Sequence, residues 1–275
     1  MTTRPAPPER DVLAARLRAA GCVYAEEEAA LLLDAAGLLD AAGPSGGGAA
    51  ELERLVVRRE AGEPLEQLLG WADFDGIRLQ LEPGVFVPRA RTLLVAREAE
   101  RLARSAAAPA TVLDLCCGAG AIGALLQREL PGVELVAVDL DPAAIAAARR
   151  NLEPAGGVVR QGDLFDAVPI GFLGGFDVIA VNAPYVPTAE IAHLPPEARE
   201  HEHRVALDGG PDGLALHRRI VAGARRWLRP GGALVIECAE RQAEHSAALF
   251  ARAGFSSEVL ADETLEATAV RARLR

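Results

Sequence analysis

Lysine is absent from the sequence, so arginine supplies all 29 of its positively charged side chains. Aspartate and glutamate together number 39, which gives a formal net charge of -10. Most of such a surface repels a phosphate backbone unless the arginines are concentrated in one groove. The charge balance therefore disfavours nucleic acid as a stable partner.

Cysteine pairs of the C-x-x-C type and long hydrophobic runs are also lacking. The four cysteines, which have neither metal-ligand spacing nor the pattern of a disulfide framework, are Cys22, Cys116, Cys117 and Cys238. Aspartates interrupt the apolar stretch at residues 29–42, and the first ten residues are polar and rich in proline. We therefore expect a cytoplasmic protein without a bound metal or a membrane segment, and a monomer.

The chain has 275 residues, of which 50% are hydrophobic, enough for a large α/β domain and a smaller helical one. Between residues 10 and 59 apolar residues recur at helical spacing, which predicts three or more amphipathic helices. Alternating apolar residues around an Asp75-Gly76 turn signal predict a β-hairpin within Trp71–Val87. We expect three parts: a helical domain (1–70), a hairpin linker (71–88) and an α/β domain (89–275).

From residue 110 onward, short apolar strands alternate with helices. Strand character is found at residues 111–115, 134–139, 158–161, 177–182 and 233–238, and helix character at 121–130, 142–151 and 214–228. This alternation predicts a doubly wound, mostly parallel sheet with helices on both faces. Two further strand-like runs, 256–261 and 268–274, are joined by a short polar loop, so we expect the last strand to run antiparallel.

A glycine-rich turn follows the first of these strands. Gly118, Gly120 and Gly123 have the G-x-G-x-x-G spacing, which lets the backbone pass close to a ligand. Asp139 ends the next strand, where a carboxylate can accept hydrogen bonds from both ribose hydroxyls, and Asp163 could receive an adenine amino group. The spacing alone also fits an NAD-binding loop or a turn without a ligand. In NAD-binding proteins, however, the glycines follow the strand directly.

The strand at residues 177–182 ends in Asn182, at the edge where doubly wound folds bind ligands. Ala183 precedes Pro184 and is therefore biased toward an extended conformation, which fixes the direction of its carbonyl. A proline-rich turn in which Asn182 caps its own backbone is the alternative. Because a glycine-rich loop lies upstream, we interpret this segment as the second half of a binding site.

Two motifs resemble those of known enzymes. The segment from Asp114 to Gly120 resembles motif I of the class I S-adenosylmethionine methyltransferases. Asn182-Ala183-Pro184-Tyr185 resembles the N-P-P-Y signature of enzymes that methylate amide or exocyclic amino nitrogens. Flanking segments similar, in the same order, to the HemK/PrmC-like protein glutamine methyltransferases lie at residues 63–70, 86–89, 206–213 and 230–232. The resemblance covers nearly the whole chain from about residue 10.

This resemblance implies a class I methyltransferase fold: a doubly wound α/β sheet of seven strands with an N-terminal helical domain that recognises the substrate and a linking β-hairpin. It implies S-adenosyl-L-methionine as the cofactor and a protein, a peptide chain release factor, as the acceptor. The implied cofactor contacts are Asp114, Cys116, Gly118, Ala119, Gly120, Ile122, Asp139, Leu140, Asp163, Leu164 and Asn182. The implied catalytic residues are Asn182, Ala183, Pro184 and Tyr185. In such enzymes the Asn182 oxygen and the Ala183 carbonyl accept the two amide hydrogens, while Tyr185 packs on the planar group.

The chain departs from the family pattern at three places. Ala183 replaces the usual proline, Arg89–Thr92 replaces a P-R-P-E-T-E-like segment, and Glu202-His203 replaces Glu-Pro. Two alternative functions remain: an adenine amino methyltransferase and a non-catalytic binding protein with the same fold. The net charge argues against the first, and retention of the other three signature residues argues against the second.

Three other groups of residues invite a functional interpretation. His201 and His203 alternate with glutamates but lack an obvious third ligand, so we expect a solvated polar loop rather than a metal site. Cys116 and Cys117 are interpreted as small side chains under the cofactor loop. Glu237 is expected to support the sheet edge or the active-site loop rather than to act as a catalytic acid.

Overall fold

Four helices form the N-terminal part of the computed structural model, which describes residues 7–38, 46–106 and 109–274. They are α1 (Pro7–Ala19), α2 (Ala25–Ala35), α3 (Gly46–Glu60) and α4 (Leu65–Leu69). Leu17, Leu32 and Val56 are fully buried in a core that these helices make among themselves. The amphipathic helices predicted between residues 10 and 59 are present. No helix in the described ranges combines the length and apolarity that a membrane span requires.

A two-stranded antiparallel hairpin follows, with strands β1 (Trp71–Phe74) and β2 (Ile77–Gln80). Asp75 and Gly76 form its turn with φ of 53° and 77°. A two-residue turn that matches the twist of its strands needs positive φ at both central positions, and Asp-Gly is a favoured pair for it. The local sequence therefore sets the register of the hairpin.

The hairpin is shorter than the predicted span 71–87. Pro83 cannot donate to a strand ladder, and Gly84 has a left-handed φ of 82°. Residues beyond Gln80 run as an irregular segment, which nevertheless buries Val87 against α/β-domain side chains. The linker thus consists of a hairpin followed by an irregular segment.

The remaining elements alternate between strands and helices. They are α5 (Leu93–Arg104), β3 (Thr111–Leu115), α6 (Ala121–Glu129), β4 (Glu134–Asp139), α7 (Pro142–Leu152), β5 (Val158–Gln161), β6 (Phe176–Val181), α8 (Pro196–His201), α9 (Ala215–Trp227), β7 (Leu228–Glu237), α10 (Ala243–Arg252), β8 (Phe255–Asp262) and β9 (Ala267–Leu274). The strands form one seven-stranded sheet in the order β5-β4-β3-β6-β7-β9-β8. Neighbours from β5 to β7 are parallel, whereas β9 runs antiparallel to both β7 and β8. The predicted sheet is confirmed.

The central strands are buried on both faces, as expected where helices cover a parallel sheet. Every residue of β3 and β6 is buried. Helices α5, α6 and α7 pack on one face around Val112 and Leu126, and α9 and α10 pack on the other around Phe176 and Trp227. The carboxyl ends of these strands are therefore held at one rigid edge.

Strand β7 begins at Leu228, earlier than the predicted start at Ala233. It runs through Pro230-Gly231-Gly232, which is a turn signal in the sequence. A register irregularity opposite Phe176 and Val178 accommodates the additional residues. Residues 229–232 bulge out between the Leu228–Phe176 and Ala233–Val178 pairs, and Gly231 has a left-handed φ of 78°, so the turn signal is retained as a bulge within the strand.

Candidate active site

A cavity of about 1060 Å³ opens at the carboxyl ends of the parallel strands, the edge at which doubly wound folds bind ligands. Twelve residues predicted from the sequence line it: Cys116, Gly118, Ala119, Ile122, Asp139, Leu140, Asp163, Leu164, Asn182, Ala183, Pro184 and Tyr185. Asp114 and Gly120, also predicted as cofactor contacts, do not line it. The two motifs found in the sequence thus meet in one cavity.

The loop after β3 owes its shape to left-handed backbone conformations. Cys116, Gly118 and Gly120 have φ of 61°, 54° and 85°. Glycine adopts such angles freely, whereas a cysteine is strained there, and such strain is concentrated at functional sites. A Cβ on Gly120 would lie 2.8 Å from the Leu152 side chain, while open space surrounds the same position on Gly118. Gly118 therefore leaves the backbone open to a ligand.

Asp139 holds this loop in place. Its Oδ2 accepts a hydrogen bond from the Gly118 N–H at 2.8 Å, and its Oδ1 accepts one from the Asp141 N–H at 2.9 Å. Burial raises the pKa of this carboxyl. Each carboxylate oxygen has two lone pairs, so Asp139 keeps acceptor capacity toward the cavity it lines.

Asp114 lies beneath the loop rather than in the cavity wall. It is fully buried, and its Oδ2 accepts a hydrogen bond from the Gly123 N–H at 2.9 Å. Its Oδ1 has no hydrogen-bond partner among the described residues, and burial raises the pKa of the carboxyl to about 7. A Cβ on Gly123 would lie 3.2 Å from Asp114 Oδ2, so the glycine lets helix α6 begin directly against this carboxyl.

Asp163 and Leu164 follow β5 at another part of the wall. Asp163 Oδ2 forms an ion pair with Arg219 at 2.8 Å, an interaction that uses only one of its two oxygens. Leu164 is buried with a left-handed φ of 49°. Like Cys116, it is a strained residue that lines the cavity.

Cys116 and Cys117 are free thiols. Burial raises the pKa of both well above the ordinary range, and nearby carboxylates such as Asp139 raise it further. Since the thiolate is the reactive form, these cysteines are poor nucleophiles. Their position is consistent with small side chains that fill space under the loop.

Asn182 directly follows β6. Its Nδ2 donates a hydrogen bond to Thr92 Oγ1 at 2.9 Å. Thr92 is 3% exposed and Ala183 is 1% exposed, so the backbone around Asn182 is firmly packed. Because the amide nitrogen is directed at Thr92, the carbonyl side of the Asn182 amide is the part that remains for a ligand.

Tyr185 is anchored by its hydroxyl, which donates to Glu237 Oε1 at 3.0 Å. Glu237 is 2% exposed, and burial raises the pKa of its carboxyl, while Arg91 lies 3.5 Å away. Burial and the adjacent Glu237 also raise the pKa of Tyr185. The structure thus places Glu237 in contact with the active-site loop. Thr92, by contrast, was not among the site residues predicted from the sequence.

A second segment supports the Asn182 loop from outside. Gln242 Nε2 donates to the Tyr185 carbonyl oxygen at 2.9 Å. A Cβ on Gly213 would lie 2.2 Å from that same oxygen, and one on Gly209 would lie 2.8 Å from the Pro184 oxygen. These residues were not predicted as part of the site. For Gly209 and Gly213, the glycine-rich run at residues 206–213 is the sequence feature that could have identified them.

Comparison with known proteins identifies the family. The methyltransferase small domain matches residues 80–194. A release factor glutamine methyltransferase of Geobacter sulfurreducens is 44% identical over 73% of this chain and 69% of its own length. One from Bradyrhizobium diazoefficiens is 38% identical over 86% of this chain and 83% of its own length. The chain belongs to the release factor glutamine methyltransferase family.

Relatives with other names mark the breadth of this similarity. The 4-amino-L-phenylalanine/4-methylamino-L-phenylalanine methyltransferase of Streptomyces pristinaespiralis is 38% identical over 72% of this chain and 69% of its own length. The solved 16S rRNA N2 G1207 methyltransferase of T. thermophilus has a TM-score of 0.53 and 23% identity, covering 74% of this chain and 50% of that one. That likeness shows the fold alone, and the predicted class I methyltransferase fold is confirmed.

The departures from the family pattern have specific partners in the structure. Glu202 Oε1 accepts hydrogen bonds from the Val87 N–H at 3.1 Å and from Arg89 at 2.6 Å. His203 Nδ1 lies 2.6 Å from Asp141 Oδ2, a contact that the usual proline cannot make. The expectation of a solvated polar loop is therefore wrong for Glu202, which is 6% exposed, whereas His203 remains exposed. Glu202 thus connects the segment after α8 to the end of the linker, and His203 connects it to Asp141 at the start of α7.

Proposed function

We propose that this chain transfers a methyl group from S-adenosylmethionine to the side-chain amide nitrogen of a glutamine in a protein, and that this protein is a peptide chain release factor. The observation that carries the proposal is the orientation of Asn182, whose Nδ2 is directed at Thr92 at the wall of the cavity. Family membership at 44% identity supports the same reaction.

The cavity wall fits the cofactor. Gly118 lacks a Cβ where a ligand would approach, and Asp139 keeps lone pairs for the ribose hydroxyls. Cys116, Ala119 and Ile122 offer small or apolar surface, and Leu140 and Asp163 are assigned to the adenine end. When bound, the cofactor supplies a methyl group already activated by the sulfonium, so the protein has to position the acceptor rather than generate a strong nucleophile.

The acceptor side follows from the chemistry of an amide. Its nitrogen is a weak nucleophile because the lone pair is delocalised into the carbonyl. Two fixed hydrogen-bond acceptors hold the nitrogen and help to localise that lone pair, and we assign them to Asn182 Oδ1 and the Ala183 carbonyl. Positioning and electrostatic preorganisation of this kind supply large rate factors. Tyr185, whose pKa is raised, keeps its proton and serves as a flat wall for the planar group.

We assign acceptor recognition to the helical part, residues 1–70, with residues 71–88 as linker and 89–275 as the methyl-transfer part. Arg59 supports this division, because it pairs with Glu28 of α2 at 2.6 Å and with Glu197 of α8 at 2.7 Å. Glu197 lines the cavity. A protein that docks on the helices is thus directly connected to the wall near its glutamine.

One experiment distinguishes a release factor from other possible methyl acceptors. The purified protein is incubated with isotopically labelled S-adenosylmethionine and, in separate reactions, with a release factor, free 4-amino-L-phenylalanine or adenine-containing DNA. Mass spectrometry then locates the label. We expect label on one glutamine of the release factor and its loss when that glutamine is replaced by glutamate. Label on the amino acid or on DNA instead would contradict the proposed acceptor.

A further inference from the structure

Thr92, Asn182 and Tyr185 at the cavity wall and Glu237 behind it form one polar group. Asn182 Nδ2 donates to Thr92 Oγ1 at 2.9 Å, and the Thr92 hydroxyl is near enough to Glu237 to act against the burial that raises the pKa of this carboxyl. Tyr185 donates to Glu237 Oε1 at 3.0 Å. Thr92 is 3% exposed and Glu237 is 2% exposed, so water does not compete with these bonds. The group connects the two polar residues of the acceptor signature from behind.

The carboxylate fixes the direction of every bond in this group. An ionised carboxylate only accepts hydrogen bonds, so Tyr185 donates to Glu237, and the Thr92 hydroxyl can only donate when it turns toward the same carboxylate. The Thr92 oxygen is then left with lone pairs only, and it accepts from whichever group of Asn182 faces it. That group must be the NH2 rather than the carbonyl oxygen. An asparagine amide that could otherwise rotate by 180° is thereby held in one orientation.

We propose that Thr92 and Glu237 are positioning residues that set the orientation of the Asn182 amide, so that its oxygen and not its nitrogen faces the acceptor. This inference rests on the proposed function, in which Asn182 Oδ1 accepts a hydrogen from the acceptor nitrogen. A reversed Asn182 amide would present its NH2 to the N–H of the acceptor amide, and two donors cannot form a hydrogen bond with each other.

Two observations argue against a purely structural role for these residues. Thr92 lies in helical backbone between the one-turn helix Ala90–Thr92 and α5, and its buried hydroxyl bonds Asn182 rather than the helix backbone. Glu237 Oε2 is buried and finds no hydrogen-bond partner in the described part of the chain. A carboxylate buried in that way costs stability, which indicates that it is retained for another reason.

The test compares Thr92→Val, which removes the hydroxyl at constant volume, with Thr92→Ser, which retains it. We expect Thr92→Val to lower the single-turnover rate on a glutamine acceptor by about tenfold to a hundredfold. Cofactor affinity measured by calorimetry should stay within about twofold, and Thr92→Ser should recover most of the rate. Glu237→Gln offers one acceptor oxygen instead of two, so we expect it to lower the same rate.

Thr111→Val is the matched control. Thr111 is also buried, but it begins β3 at the amino ends of the parallel strands, away from the cavity at their carboxyl ends. It should match the thermal stability change of Thr92→Val while keeping the wild-type rate. Thr92→Val is then combined with Asn182→Ala. If Thr92 acts only through Asn182, the double variant should be as slow as Asn182→Ala alone. If the two residues act independently, the rate losses of the two single variants should multiply.

The outcomes distinguish failure of the proposed function from failure of the positioning role of Thr92. Absence of glutamine methylation by the wild-type protein would remove the proposed function itself. Normal wild-type activity together with an unchanged rate in Thr92→Val, or a multiplicative loss in the double variant, would overturn the positioning role alone. A rate loss that Thr92→Ser recovers and that disappears in the Asn182→Ala background supports it.

Discussion

Gly213 lies so close to Tyr185 that a Cβ on the glycine would be 2.2 Å from the tyrosine carbonyl oxygen. The glycine also has a left-handed φ of 74°. Gln242 donates to the same oxygen at 2.9 Å. The backbone of the Asn182–Tyr185 loop is therefore held in place by Gly213 and Gln242, which lie outside the Asn182 signature.

Gly213→Ala is expected to displace this loop and lower kcat by about tenfold or more, because misplacement of a reacting group by about 1 Å costs that much or more. Gly231→Ala is the matched control: it has a φ of 78°, but a Cβ there meets nothing within 4 Å. Both variants carry similar backbone strain of about 1 kcal/mol, so the additional loss of stability and rate expected in Gly213→Ala comes from the clash with Tyr185. Equal methylation rates for the two variants would contradict the proposed contact.

Asp139→Ala is expected to weaken S-adenosylmethionine binding by about 2 to 3 kcal/mol, measured by calorimetry. The change removes charge-assisted hydrogen bonds to the ligand and the brace on the Gly118 N–H. Glu263→Ala, an exposed acid on the β8–β9 loop, is the control and should bind as the wild type does. Binding of NADH in place of S-adenosylmethionine would show that the cofactor is misassigned.

Glu197→Gln tests the connection between the helical part and the cavity. It removes the charge that Arg59 contacts at 2.7 Å but leaves the buried Arg59–Glu28 pair intact. We expect the KM for the protein acceptor to rise severalfold, with cofactor affinity and kcat nearly unchanged. Replacing Arg59 itself is less informative, because an unpaired buried Glu28 would destabilise the fold by about 3 kcal/mol or more.

The control for this prediction is Glu200→Gln, which removes a comparable charge from the same helix. Within residues 7–38, 46–106 and 109–274, Glu200 pairs only with its exposed neighbour Arg199. An acceptor KM that rises equally in both variants would attribute the effect to general surface charge rather than to the Arg59 contact.

Features set by local sequence could be predicted. The strand ending at Asn182 is a continuous apolar run, and the glycines after β3 stand at fixed offsets, so the position of both halves of the site follows from the sequence pattern, while their roles follow from the resemblance to known methyltransferases. Their meeting in one cavity also follows, since parallel strands place their carboxyl ends at one edge.

Features set by distant contacts could not be predicted. Thr92 lies ninety positions from Asn182 in sequence, and only the packing of α5 against β6 brings its hydroxyl to the asparagine. The pairing of His203 with Asp141 depends likewise on where a loop folds back. Strand β7 begins earlier than predicted because Leu228 pairs with Phe176 on the far side of a bulge that contains the Pro-Gly-Gly turn signal.

The buried carboxyl of Asp114 should make stability depend on pH. Its pKa is about 7 in the folded protein but near 3.8 in the absence of burial. Between these values the native state holds a proton that the unfolded state has lost, so this contribution is complete below about pH 4 and is lost as pH rises through about 7. A shift of this size corresponds to at most roughly 4 kcal/mol.

Asp114→Asn cannot titrate, so its free energy of unfolding should improve relative to wild type between about pH 5 and pH 8. Urea unfolding of both proteins at several pH values measures this difference, in which all shared titrating groups cancel. A difference that is the same at every pH would show that Asp114 titrates normally.

The mechanism itself is tested at Asn182. Asn182→Ala removes the proposed acceptor oxygen, and we expect the methylation rate to fall by roughly a hundredfold or more, the range seen when one positioning or electrostatic group is lost. Asn182→Asp keeps an oxygen but adds a negative charge beside the cofactor sulfonium. It should bind cofactor at least as tightly and still transfer slowly, because it lacks the NH2 that Thr92 accepts.

Ala183→Pro is the companion variant. It restores the residue that the family usually has and retains the backbone carbonyl, so we expect a rate within about tenfold of the wild type. Single-turnover assays on a glutamine acceptor, with calorimetry for the cofactor, separate transfer from binding in all three variants. Near-normal transfer by Asn182→Ala would require the amide-positioning mechanism to be abandoned, even if cofactor binding were as proposed. A large loss in Asn182→Ala combined with a small one in Ala183→Pro assigns one acceptor to a side chain and the other to the main chain.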